Sequence, residues 1–279
     1  MLISFSNCAY ADEAASPPDK SQYSIFNPVP DNLLRDLASD RPTKSYSPVT
    51  VDAGHFQIEM DFANYAYGTY QGVWSDSFIT ADPVIKLGLT SRIDLEIQPG
   101  SYQFMHNLDA NTRQTISSGS GYGDTIVKTK FNFVGNDGGP FAISVAPFIK
   151  IPSSTPLISN GKVEGGVQLP MLFNLPDDFV LVETPEYDLL KNALDSGTHA
   201  GYRIANALSH PIPGIDKLTG FVEFYAQGGR DPLIPPIYTF DLGLGYMLTP
   251  ACQLDGGIDF GLNTAAPRLQ LYAGITQRF

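Results

Sequence analysis

Between His55 and Phe62 the chain alternates residue by residue: Phe56, Ile58, Met60 and Phe62 are large and apolar, whereas His55, Gln57, Glu59 and Asp61 are polar or charged. Successive side chains of a strand point to opposite faces, so this stretch is a strand with one apolar and one charged face. The same texture recurs at 77–89, 92–104, 122–134, 141–151, 162–172, 179–189, 199–208, 217–227, 238–248, 252–262 and 268–279. Segments of about ten alternating residues are the repeated signature of strands that cross a membrane as a closed barrel, and single-chain bacterial barrels use an even number of them. The expected fold is therefore all-β: an antiparallel transmembrane β-barrel of about twelve strands with a short N-terminal extension.

Charge placement sharpens this reading. A lysine or arginine facing lipid at mid-bilayer costs about 2–4 kcal/mol. Lys86, Arg92, Lys128, Lys130, Lys150, Lys162, Arg203, Lys217, Arg268 and Arg278 all fall on the parity opposite the main apolar residues of their segments. On this pattern Phe56, Ile58, Leu242, Leu271 and Ile275 face lipid, and Gln57, Glu59, Asp241, Gln270 and Thr276 face a water-filled interior. Glu183 is the exception, sharing parity with Leu181, Tyr187 and Leu189; either Pro185 marks a bulge or the register slips there. A soluble barrel alternates equally well with its apolar face inward. Strand number, an alternation of tight turns with longer polar loops at 68–76, 105–121 and 152–161, and a last strand that ends on Phe279 favour the membrane form. That aromatic terminus resembles the signal read by the outer-membrane barrel-assembly machinery.

The 29 acidic residues against 17 basic ones argue against a nucleic-acid partner. No run approaches the 18 or so apolar residues of a spanning helix. Ala9-Tyr10-Ala11 resembles the cleavage site of a secretory signal, so 1–11 is read as a signal segment that lacks its basic start, with Cys8 inside it and Cys252 the sole thiol left. Residues 12–51 form the extension, expected to dock at the periplasmic mouth or inside the barrel through Arg35 or Arg41, with a short helix where Asp31 caps Leu33, Leu34 and Leu37. Residues 52–279 form the barrel.

The pore-lining candidates are Glu59, Asp61, Lys86, Arg92, Asp94, Glu96, Lys128, Lys130, Glu164, Arg203, Glu223 and Asp241, together with further acids such as Asp255 and Asp259. Charges buried in a narrow barrel must be paired or hydrated, so these residues serve either a selectivity lining or an ion-pair network that fills the interior. Gly88, Gly243, Gly257 and Gly274 on the same face would leave a narrow path. The four histidines are too scattered for a metal site, and no cofactor is expected. Ser209-His210 lacks the neighbours of a nucleophile and base. Gly121-Tyr122-Gly123-Asp124 precedes no helix and reads as a strand entrance. Trp74, Tyr65, Tyr67, Tyr70 and Phe78 suit the headgroup level at the first outer loop.

The motifs Asn27-Pro28-Val29-Pro30-Asp31, Leu33-Leu34-Arg35-Asp36, Ser39-Asp40-Arg41-Pro42 and the stretch from Val51 to Glu59 resemble the meta-pathway phenol-degradation family of outer-membrane transporters. Looser matches are Gly121 to Asp124, Gly135 to Gly139, Val163 to Gly166 and Gly220 to Phe224. The resemblance implies a location in bacterial outer-membrane lipid and passage of small organic, including aromatic, solutes; it implies no catalytic residues. A plugged structural barrel, or an outer-membrane lipid-modifying enzyme, would carry the same strand pattern.

Overall fold

The computed structural model describes residues 18–156, 158–194 and 197–279; the signal segment and Cys8 lie outside them. Fifteen strand segments run β1 (Phe56–Tyr70), β2 (Val73–Thr90), β3 (Ile93–Gln98), β4 (Tyr102–Asp109), β5 (Thr115–Tyr122), β6 (Thr125–Val134), β7 (Phe141–Ile151) and β8 (Glu164–Gln168). They continue with β9 (Met171–Asn174), β10 (Val180–Lys191), β11 (Thr198–Pro211), β12 (Leu218–Gly229), β13 (Ile237–Thr249), β14 (Cys252–Gly261) and β15 (Leu269–Arg278). β3 and β4 both pair with β2, β4 and β3 pair in turn with β5 and β6, and β8 and β9 share the partners β7 and β10. Each of these three pairs is one interrupted strand, so the wall has twelve staves. All strand pairings are antiparallel, and β1 joins both β2 and β15, closing the barrel; among the described residues the one strand paired on a single side is the polar β5, which has β4 as its only strand partner. Closure pairs the backbone of the wall that hydrocarbon would otherwise meet.

Burial is inverted relative to a soluble protein. The largest fully buried side chains include Lys86, Lys130, Gln57, Glu59, Glu96, Glu223 and Asp241, while Phe224, Phe240, Leu244 and Leu271 are exposed on the outside. A soluble barrel would bury the second set, because charged residues are almost never fully buried without partners. Ring clusters band the outer surface at both ends. Phe56–Phe279, Phe141–Phe173 and Phe179–His210 lie at the end where β1 begins and β15 finishes; Tyr65–Tyr67, Phe78–Phe104 and Tyr102–Tyr122 lie toward the other. Such belts match the two interfaces of a bilayer.

Three expectations are corrected. The stretch 68–76 is not a long loop: β1 and β2 continue and turn at Gln71–Gly72, both with positive φ, the geometry of a tight two-residue hairpin. The helix at 31–37 shrinks to a 3-10 turn, Asp31–Leu33, with no side-chain cap, because Leu34 is extended and the Arg35 amide donates instead to Asp52 Oδ2 at 2.8 Å. The Glu183 ambiguity is also resolved. β10 and β11 keep one register from Val180–Ser209 to Lys191–Thr198, so Pro185 makes no bulge and Glu183 faces outward opposite Asn206. The register does shift at 61–63 of β1, and beyond that bulge Asn64, Ala66 and Gly68 take the inward positions.

Candidate functional site: the charged lumen and the extension inside it

Residues 35–51 enter the lumen from the end bearing Phe56 and Phe279, extend as far as Asp241 and Asp259 short of the distal cavity, and return. Among the described residues, no backbone-to-backbone hydrogen bond joins this segment to a wall strand; side chains hold it. At the entrance Arg35 pairs with Asp52 at 3.1 Å and with Asp137 at 2.8 Å, and donates to the Ser91 carbonyl. Lys20 joins the same two carboxylates, and Arg278 donates to the Arg35 carbonyl. The segment makes room for itself through glycine. A Cβ at Gly88 would strike the Asp52 carbonyl, and one at Gly274 would strike the Arg41 guanidinium. These glycines therefore admit the extension; they do not leave a path, and Gly243 and Gly257 are covered by the Phe221 and Tyr272 rings.

Deeper in, Asp40 pairs with Lys86 at 2.5 Å, and Lys86 also pairs with Glu59 at 2.5 Å. Lys130 and Lys128 bracket Glu96 at 3.0 and 3.1 Å, with Asp94 accepting the Val51 amide. Arg41 bridges Asp61 and Asp255, both at 2.6 Å. Lys44 bridges Asp241 and Asp259, both at 2.6 Å. Glu223 accepts the Lys44 and Ser45 amides and the Ser45 hydroxyl, and the Tyr46 ring lies 3.9 Å from the Lys128 ammonium. Beyond the extension, Arg203 meets Glu186 at 3.3 Å, and Lys150 links Asp124 and Glu164 at 2.9 and 3.0 Å. At the distal mouth lies a cavity of about 330 Å³ lined by Ala66, Gly68, Met105, Ile237, Ala266 and Pro267, with Ser77 and Asn107 among its polar groups.

Eleven of the twelve lumen candidates thus face the interior. Arg92 does not: it is exposed in the turn between β2 and β3, since a turn residue at a strand end escapes the parity that governs the strand. The expected water access of Gln57, Glu59, Asp241 and Thr276 is also corrected, because all four are buried, at 2 % exposure or less. Ser209 and His210 sit on opposite faces of β11, with the His210 ring tilted against Phe179. Asp124 receives the Ser153 and Ser154 amides where β5 gives way to β6. Lys44 and Asp40 went unrecognised in the sequence. The usable signal was a charge deficit: Lys217, Arg268 and Arg92 are exposed at the barrel ends, so the mid-barrel acids outnumber the wall's own bases and require cations from elsewhere.

The entrance clasp carries a pH signature. Burial works against ionisation of Asp137, but hydrogen bonds from Arg35 and Lys20 outweigh it and hold its pKa below the usual 3.8. The clasp is thus fully formed above that ordinary value and is lost as pH falls through the lowered one. Cleavage of the extension by an acid-active protease is expected to rise below about pH 4 in the wild type. In Asp137→Asn the rise, measured relative to cleavage of an unstructured substrate by the same protease at each pH, should be smaller.

Comparison with known proteins places this architecture. A crystal structure of an outer-membrane channel from Pseudomonas putida F1 superposes with a TM-score of 0.62 at 12 % identity, covering 86 % of this chain and all of that one. The β-domain of the Bordetella autotransporter BrkA gives 0.50 at 8 % identity, covering 80 % of this chain and 98 % of that one. At such identities the likeness concerns the fold: an outer-membrane β-barrel. No curated protein sequence matches. Residues 39–279 match the family described as "Putative MetA-pathway of phenol degradation", and over that span, which covers the lumen segment from Ser39 onward and every wall strand, the chain belongs to that family.

Proposed function

We propose that the protein is an outer-membrane channel for small organic molecules, uncharged or aromatic, with the extension as its internal plug. The observation that carries the reading is the lumen's division: a periplasmic half filled by 35–51, and a distal half that keeps a mostly apolar cavity of about 330 Å³, the scale of one small ring compound. Interior charges of both signs, already paired, argue against strong ion selectivity in the plugged state. The family description supports aromatic solutes. Uptake of a small phenol at low external concentration tests this, since outer-membrane permeability limits flux there. A deletion strain is expected to take it up more slowly, and Ala66→Trp, which fills the cavity, should reproduce the defect.

A second reading, a structural barrel without transport, is favoured by the depth of the ion pairs around Asp40. It predicts unchanged uptake in the deletion strain and silent bilayers. Phe279 stacks on Phe56 with ring centroids 4.7 Å apart and exchanges backbone hydrogen bonds with it, leaving its ring outside the barrel, where assembly machinery can read it. Phe279→Ala is expected to lower the amount of heat-modifiable barrel in the outer membrane; equal amounts would remove that role.

A further inference from the structure

We propose that Asp61, Asp255, Asp241 and Asp259 form a site for organic cations, amines and guanidinium compounds, which Arg41 and Lys44 of the extension occupy as tethered ligands. A free cation of this class then competes with the extension for the lumen. Each half of the site has the form of a receptor for its occupant. The Arg41 guanidinium lies between two carboxylates at 2.6 Å each, suiting a planar group with several donors. The Lys44 ammonium lies between two carboxylates at 2.6 Å each, with the Thr239 hydroxyl at 3.4 Å and the Tyr225 ring centroid at 5.2 Å. Carboxylates and an aromatic face are the usual surroundings of a bound organic cation.

One further observation separates this site from an ordinary network of wall charges. Asp241 and Asp259 are buried and each keeps one oxygen without a hydrogen bond to the extension, as wall carboxylates such as Asp94 and Asp188 also keep a free oxygen. One ammonium with three donors leaves capacity that a guanidinium, with five, would use. The occupants, by contrast, belong to a segment with no ladder contact to the wall, and the Lys44 side chain is 27 % exposed although its partners are 1–2 % exposed. The lysine is the water-facing member of the cluster, so a competitor in the lumen water meets it before the buried carboxylates. Losing both cations would leave four wall carboxylates without their present partners, a strong field for any cation that enters.

The test uses the full chain in planar bilayers, with n-butylammonium or guanidinium chloride added to the extracellular side and KCl at equal ionic strength as control. In the wild type either cation is expected to raise the frequency of open events above the KCl control. In Asp241→Asn/Asp259→Asn, where Lys44 also loses its tether and basal opening rises, the cation concentration needed for a further increase should rise at least about fivefold, the lower range of a measurable coupling. Arg41→Gln/Lys44→Met should be open from the start, shifted toward cation selectivity, and blocked by guanidinium. A wild type indifferent to both cations, or a response unchanged in the asparagine variant, overturns the proposal. If the Arg41/Lys44 variant does not assemble, the asparagine variant decides, because it leaves no unpaired anion. The proposal does not depend on passage of neutral solutes: uptake of a phenol could fail while the amine response persists.

Discussion

Deletion of residues 12–47 is expected to leave a folded, heat-modifiable barrel whose single-channel conductance is several-fold higher and shifted toward cations. The fold should survive because every wall strand except β5 has strand partners on both sides and the ladder owes no backbone hydrogen bond to residues 35–51. The conductance should change because the segment fills the terminal half of a lumen narrower than that of the 16–18-stranded porins, where one inserted chain decides whether water is continuous. Selectivity should follow from charge. The deletion takes away the cations Lys20, Arg35, Arg41 and Lys44 but, among the described residues, only one buried anion, Asp40, the partner of Lys86 and Lys130, and leaves Glu59, Asp61, Glu223, Asp241, Asp255 and Asp259 on the wall. Cysteines at Glu59, Asp241 and Thr276 report the same change chemically. They should be silent toward a water-borne maleimide in the full chain and reactive in the deletion, while Leu271→Cys stays unreactive in both. Continued silence in the deletion would mean that something other than the extension seals the lumen.

Lys86→Met is expected to destabilise the full-length barrel by about 3–5 kcal/mol, the cost of stranding a buried charge after its partner is removed. Lys86 is 2 % exposed and stands between Asp40 and Glu59, each at 2.5 Å, with the Asp40 backbone amide also donating to Glu59. Methionine fills similar space but leaves Glu59 without a cation, facing an Asp40 that keeps only the more distant Lys130 at 3.7 Å. The penalty should be smaller in the chain lacking 12–47, since Asp40 is then gone and water reaches Glu59. Urea unfolding followed by gel shift in both backgrounds gives the cycle. Equal losses in the two backgrounds would show that Lys86 acts through the wall alone.

How much of this was legible beforehand can be judged at particular residues. Alternation at Phe56 to Asp61 or Leu269 to Thr276 exposes both the strand and its facing, because a period of two is a local property of extended backbone. The bulge at 61–63 could not be read that way. It depends on how β1 must bend against β15 and β2, and nothing between Asp61 and Ala63 marks it. Arg92 shows the complementary failure: parity assigns it inward, but the turn begins one residue too early for parity to apply. Arg35 and Arg41 stood out because they lie in the motifs Leu33–Asp36 and Ser39–Pro42, whereas Lys44 lies in none; sequence distance does not separate them, since Arg41 and Lys44 both meet carboxylates about two hundred positions away.

The sequence by itself therefore determined the number of staves, the inside-out arrangement of charge and the membrane class of the fold, all of which follow from local periodicity and from the cost of exposing charge to lipid. Only the tertiary structure decided what occupies the lumen. Whether the interior acids pair with wall bases, with water or with the chain's own N-terminal segment depends on which groups closure brings within about 3 Å of one another, and those distances join residues that no local pattern connects.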